Sequence, residues 1–174
     1  MLDRTTRPTV NSLTDFDIQK PECVIMPNGL PLSILRAGNA DVVRLKEKVD
    51  AGCSFLTTQM FFDNNLFYNF LYKIREAGIT VPVVAGIMPI TNAKQIRRAI
   101  ELSGSFMPRR FQALVDGFGG DPAAMKQAGI AYATDQIIDL FANGIHNVHV
   151  YSMNKPEVAF AIQSNLSDII GKNV

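Results

Sequence analysis

Apolar residues recur along the chain in two rhythms that take turns. Over residues 41–51 the spacing is helical: Val42, Leu45 and Val49 share a face, and Gly52 stands where a C-cap belongs. Residues 55–62 are short, apolar and β-prone, which predicts a strand, and Asp63 is placed to cap the helix after it. In that helix Phe67, Phe70, Leu71 and Ile74 fall at i, i+3, i+4 and i+7, and Gly78 ends it. Residues 81–87 are apolar on both sides, as parallel strands covered on both faces are. Pro89 ends this strand, and Thr91 or Asn92 caps a helix carrying Ile96, Ala99 and Ile100. Residues 106–115 and 121–143 read as two more helices, split by Gly117-Phe118-Gly119-Gly120. Ile130, Ala133, Ile137, Leu140 and Phe141 line one face of the longer one, and Asn143-Gly144 stops it. A strand over 146–151 and a last helix with Val158, Ala161, Ile162, Leu166 and Ile169 close the chain. Strand then helix, three times over, predicts an α/β arrangement with a parallel sheet.

The N-terminal part follows another pattern. Residues 1–20 are polar and irregular and predict a loose tail. Apolar runs over 22–27 and 30–35 flank Asn28-Gly29, a strong hairpin signal because both residues tolerate the positive φ of a type I′ turn. Pro27 and Pro31 would keep it an edge hairpin. Residues 18–45, with KPECVIMPNGLPLSILRAG at their start, resemble the opening hairpin of insulinase-type zinc peptidases. That family needs a His-x-x-Glu-His motif, which the chain lacks.

Composition narrows the classes. A chain of 174 residues suits one domain, and a net charge of +1 gives neither a nucleic-acid footprint nor an acidic tail. No apolar run approaches a membrane span and no signal-peptide core is present, so a cytoplasmic protein is expected. Cys23 and Cys53 lack metal-site spacing and are expected to be reduced thiols. His146 and His149, three apart on a predicted strand, point to opposite faces and cannot chelate one ion. The Gly117–Gly120 run has no phosphate-loop lysine and reads as a linker.

The candidate chemistry gathers at Thr58-Gln59-Met60-Phe61-Phe62-Asp63. Gln59 falls at the carboxyl end of a predicted buried strand, where α/β sheets carry their chemistry. Its amide needs a partner, either neighbouring backbone or a group the strand does not supply. TQMFFD, then an amphipathic helix, then GIMPI and TNAKQ resembles the methylenetetrahydrofolate reductases, flavoenzymes built on a (β/α)8 barrel. The likeness runs from Ala40 to about Leu166 and includes Tyr151-Ser152-Met153-Asn154-Lys155. It implies a partial (β/α)8 (TIM) barrel, the last three βα units, over residues 40–174, preceded by a tail and β-hairpin extension over 1–39. A whole barrel takes about 250 residues, so a fragment is expected, or a hybrid of two reading frames, or a half-barrel completed by another chain.

The resemblance also implies site residues. Gln59 matches the glutamine over the flavin that contacts folate or nicotinamide, and Gln95 matches the substrate-contacting glutamine on the helix after the GIMP strand. Lys155 stands where the family has arginine. It keeps the charge a folate glutamate would want and loses the bidentate fork. Asp41 and Lys48 match flavin contacts; Arg44 and Glu47 replace an asparagine and an arginine, and Glu47 puts an anion near the phosphates. The implied cofactors are FAD and NAD(P)H, the implied partner is a folate, and the implied product, 5-methyltetrahydrofolate, serves methionine synthesis. The family's general-acid glutamate and middle-strand flavin contacts have no counterpart, so no catalytic residue is assigned. The expectation is a chain that binds FAD poorly, does not turn over alone, and self-associates through open sheet edges.

Overall fold

The computed structural model describes residues 39–103 and 107–170. Among them lie α1 (Asn39–Asp50), β1 (Leu56–Thr57), α2 (Asn64–Glu76), β2 (Val83–Ile87), α3 (Lys94–Ser103), α4 (Arg109–Phe118), α5 (Pro122–Ala142), β3 (Val148–Val150) and α6 (Pro156–Asn165). The sheet is parallel in the order β1-β2-β3, with Leu56 opposite Val83 and Gly86 opposite His149. Parallel neighbours need crossovers, which α2 supplies between β1 and β2, and α3 to α5 between β2 and β3. The α/β class and the parallel sheet therefore follow the periodicity. The predicted tail and hairpin lie outside the described residues, as do Cys23 and Phe106.

Local chemistry starts and stops these helices. Asp63 Oδ1 accepts the Asn65 N–H at 3.0 Å, and Asp121 Oδ1 accepts those of Ala123 and Ala124 at 2.8 and 3.2 Å. Asn92 caps α3 by accepting the Lys94 N–H at 2.8 Å, which leaves Thr91 for another partner. Helix α2 ends in a Schellman motif: Gly78 has φ +78°, and the Ile79 N–H reaches Ile74 O at 2.9 Å. Both isoleucines are fully buried, which completes the motif's apolar contact. Helix α4 starts after Pro108 and runs through Phe118, so the expected glycine linker shrinks to Gly119-Gly120.

The strands are shorter than the apolar runs predict. At β1 the reason is visible: the Thr58 N–H still bonds Val84 O at 3.0 Å, but the next rung is taken by its side chain. Thr58 Oγ1 accepts the Gly86 N–H at 2.9 Å, and Thr58 O accepts the Tyr151 hydroxyl at 3.1 Å. The main chain is thereby released from the ladder, and Met60, Phe61 and Phe62 turn into the interior.

Two apolar clusters result. One packs Leu56, Val83, Ala85 and Ile87 against Leu45 of α1, Phe67, Phe70 and Ile74 of α2, and Val158 and Ile162 of α6. The other gathers Met60, Phe62, Met88, Ile90, Ile96, Phe111, Met125 and Tyr132 beyond the carboxyl ends of β1 and β2. Helix α5 serves both, with Ala133, Ile137 and Leu140 in the first and Met125 and Tyr132 in the second. Its polar side chains also clamp the TQMFFD segment. The Tyr132 hydroxyl donates to Phe62 O at 2.6 Å, and Gln136 Nε2 donates to Phe61 O at 3.3 Å and to Asn64 Oδ1 at 3.2 Å.

Burial pushes the Tyr132 phenol up to about 12; Arg110 pulls the other way, while Asp63 and Asp135 add to the rise. An acid whose folded pKa is raised contributes stability that is fully present below its unfolded value, about 10, and is lost as pH rises toward the folded one. Tyr132→Phe should therefore lose about 1–3 kcal/mol at neutral pH, because Phe62 O is left buried without its donor. It should also flatten the stability loss between about pH 10 and 12. Urea denaturation across pH checks both; unchanged neutral stability would mean that the Tyr132 hydroxyl does not hold the segment.

Candidate functional site

Gln59, Gln95 and Lys155 all follow strand ends: Gln59 just past β1, Gln95 in the first turn of α3 beyond β2, and Lys155 in the turn between β3 and α6. The three βα connections thus contribute one residue each at the carboxyl edge of the sheet.

The first connection is held tightly. Gln59 Oε1 accepts its neighbour's Met60 N–H at 3.1 Å, so its oxygen has the local backbone partner that one sequence reading expected. Gly86 makes the close approach possible: a Cβ there would lie 2.4 Å from Thr58 O and 2.9 Å from the Tyr151 ring. Tyr151 in turn stacks edge-on against His149, ring centroids 4.5 Å apart. Burial lowers the His149 pKa and raises that of Tyr151, so at neutral pH both are uncharged surroundings for this end of the sheet. The second histidine, His146, packs on Phe141 at 5.9 Å, so the two imidazoles have different neighbours.

At the second connection the side chain of Gln95 has an unusual state. Its Oε1 is buried and accepts no hydrogen bond from the described residues. An orphaned acceptor costs about 1–3 kcal/mol, and a donor brought by a ligand would remove that cost. A groove of about 480 Å³ between α3 and α4, lined by Ile96, Arg97, Ile100, Gln112 and Val115, contains none of the predicted site residues.

The third connection is a tight turn. Met153 and Asn154 have φ of 53° and 59°, and the Lys155 N–H returns to Ser152 O at 3.1 Å, which is type I′ geometry. The half-buried Lys155 reaches across to the second connection, where Nζ donates to Thr91 Oγ1 at 2.9 Å. The structure therefore brings Lys155 onto the loop that leads to Gln95, while the Gln59 oxygen is engaged by the Met60 N–H of its own connection.

Asp41, Arg44 and Lys48 lie on α1, Asp41 in its first turn and Lys48 in its last, about 10 Å apart by the helical rise. Asp41 is half-buried, and Arg44, Glu47 and Lys48 are exposed. Sequence reasoning gives Thr58, Gly86, Thr91 and Tyr151 no role at the site, although Thr58 and Tyr151 stand in the matched motifs and Thr91 is a cap candidate. The available signals were a glycine inside an apolar strand, which marks a close approach, and a tyrosine at a strand end.

The model of the family described as "Methylenetetrahydrofolate reductase" matches residues 16–167, beginning upstream of residue 40, where the motif likeness starts. The "Methylenetetrahydrofolate reductase (NADH) 1" of Zea mays is 36% identical over 132 residues, 76% of this chain and 22% of the relative. The "5,10-methylenetetrahydrofolate reductase" of Escherichia coli K12 is 32% identical over 153 residues, 88% of this chain and 50% of the relative. The chain thus spans half or less of the length of these relatives. A solved structure, "Uncharacterized protein from Clostridium thermocellum binds two copies of 5-methyl-5,6,7,8-tetrahydrofolic acid", shares the fold with a TM-score of 0.52 at 18% identity, covering 75% of this chain and 48% of that one. With the family match covering most of its length, the chain belongs to the methylenetetrahydrofolate reductase family.

Proposed function

We propose that this chain is the folate-facing part of a methylenetetrahydrofolate reductase, the last three βα units of a (β/α)8 barrel. The reaction of the whole enzyme would be reduction of 5,10-methylenetetrahydrofolate to 5-methyltetrahydrofolate by NADH or NADPH. In this family a flavin passes the hydride between the two. Support comes from the family match, from relatives named for that reaction, and from a neighbour of the same fold named as binding 5-methyltetrahydrofolate.

The observation that carries the reading is the buried, unpartnered Oε1 of Gln95. Buried acceptors without a protein donor are few in folded chains and take their donor from a water or a ligand, and a pterin edge presents N–H donors. In this reading Gln95 accepts from the pterin, Lys155 attracts the glutamyl carboxylate, and Gln59 lies beneath the reacting ring.

The flavin is a different matter. Asp41, Arg44 and Lys48 would hold its phosphate and ribityl end. The two cations are open to solvent, and exposed Glu47 sits between them, so water screens the attraction and Glu47 opposes it. The described residues therefore form one flank of a flavin site and do not fit the group by themselves, and no step is routed through it. A second reading, a half-barrel completed by another chain, has its own observation. Thr57, Val84 and His149, which share the sheet face turned away from the first apolar cluster, stay only half-buried.

Titration with 5-methyltetrahydrofolate, followed by calorimetry, tests the proposal. The chain should bind it, and Gln95→Met should bind at least about tenfold more weakly while melting at a higher temperature, because the orphaned acceptor is gone. Equal affinity in Gln95→Met, or no binding by the unaltered chain, would overturn the reading.

A further inference from the structure

The link between Lys155 and Thr91 goes beyond the folate reading, although it rests on that reading for its ligand. Thr91 is buried, at 7% exposure, and does not cap α3, since Asn92 does that work. Its hydroxyl oxygen instead accepts from Lys155 Nζ at 2.9 Å across two different βα connections. The backbone of Lys155 is fixed as well, by the Ser152–Lys155 turn and by its place as the residue before α6. A lysine is ordinarily a mobile, fully hydrated cation whose immobilisation costs up to about 2 kcal/mol in side-chain entropy. Here that cost is met in the folded chain before any ligand arrives. No carboxylate among the described residues lies within 4.0 Å of the Lys155 ammonium. Glu157, two residues on, feels the Lys155 charge only at longer range and pairs with Lys126 instead. Among the described residues Thr91 Oγ1 is the ammonium's hydrogen-bond partner, which leaves two of its three donors for water or an incoming anion.

We propose that Thr91 is a positioning residue: its hydroxyl holds the Lys155 ammonium in place at the mouth of the site, ready to receive the carboxylate of a folate. This substitutes for the planar fork an arginine would bring. A lysine has no built-in direction, and a neutral buried acceptor supplies one without cancelling the charge. A carboxylate partner at position 91 would have directed the lysine equally well but would have neutralised it.

The test is a double-mutant cycle on the full chain, read as affinity for 5-methyltetrahydrofolate and for tetrahydropteroate, which lacks the glutamyl group. Thr91→Val keeps the shape and removes the acceptor; Thr91→Ser keeps the acceptor. Thr91→Val should weaken 5-methyltetrahydrofolate binding about tenfold, leave tetrahydropteroate within about twofold, and have no further effect once Lys155→Met is present. Thr91→Ser should bind like the unaltered chain. If Thr91→Val weakens both ligands alike, or weakens binding equally in the Lys155→Met background, the hydroxyl is a packing element and the inference fails while the folate reading stands. If the unaltered chain binds neither ligand, both fall together.

Discussion

Gly129→Ala should cost the fold more than about 3 kcal/mol, a large share of the about 5–15 kcal/mol by which a domain is usually stable. Gly129 lies on the buried face of α5, where the helix crosses the loop after β2. A Cβ built there would lie 1.8 Å from Ile90 O and 2.7 Å from its carbonyl carbon. Both are main-chain atoms, so no rotamer change relieves the clash. Either α5 lifts, uncovering Met125 and Tyr132, or the loop moves and takes Thr91 and its bond to Lys155 with it. The control is Gly117→Ala in α4, where an added Cβ meets nothing within 4 Å and a gain of about 0.5 kcal/mol is expected from helix propensity. Urea melts of the two variants should move in opposite directions. Equal, small shifts would mean that α5 does not press on the loop as described.

That contact also shows where sequence reading stops. The helices were legible because their signals are local: Asp63, Asp121 and Asn92 cap, Gly78 and Gly144 end, and Phe67, Phe70 and Ile74 repeat at helical spacing. The parallel sheet followed from the order of elements. The strand lengths did not, because the β1 ladder ends where the Thr58 hydroxyl and the Tyr151 phenol replace backbone partners, and those meet only in three dimensions. The apolar spacing of helix α5 predicts one buried face. Its second buried face carries Gly129, Tyr132 and Gln136, small or polar residues that no hydrophobic template counts. At the site, the motifs single out Gln59, Gln95 and Lys155, and the order of elements predicts their positions past strand ends. That Gln95 has an orphaned oxygen, and that Lys155 rests on Thr91, depends on side chains brought together from distant parts of the chain.

FAD should fail to travel with the chain through gel filtration, and oxidation of NAD(P)H in the presence of the folate should stay at background. A flavin held without covalent attachment needs walls on both ring faces and donors around its phosphates. In the proposed reading the chain would offer Gln59 and the Tyr151 end of the sheet on one side, and exposed Arg44 and Lys48 with exposed Glu47 between them on another. Among the described residues β1 and β3 each pair on one side only, and Thr57, Val84 and His149 stay half-open on the sheet face a barrel would enclose. Exposed attraction of that kind is worth little, with surface ion pairs contributing about 0–1 kcal/mol and less at high salt. Micromolar retention requires about 8 kcal/mol, which those contacts do not reach. The proton transfer is short as well: without the family's general-acid glutamate a factor of typically about 10²–10⁴ in rate is lost. The sheet edges that have no partner among the described residues should show themselves in the same experiment as elution ahead of the monomer position. Folate binding sensitive to Gln95 and Thr91, with no comigrating flavin absorbance, is the expected pattern. Stoichiometric flavin with turnover would instead mean that this chain builds the second wall itself.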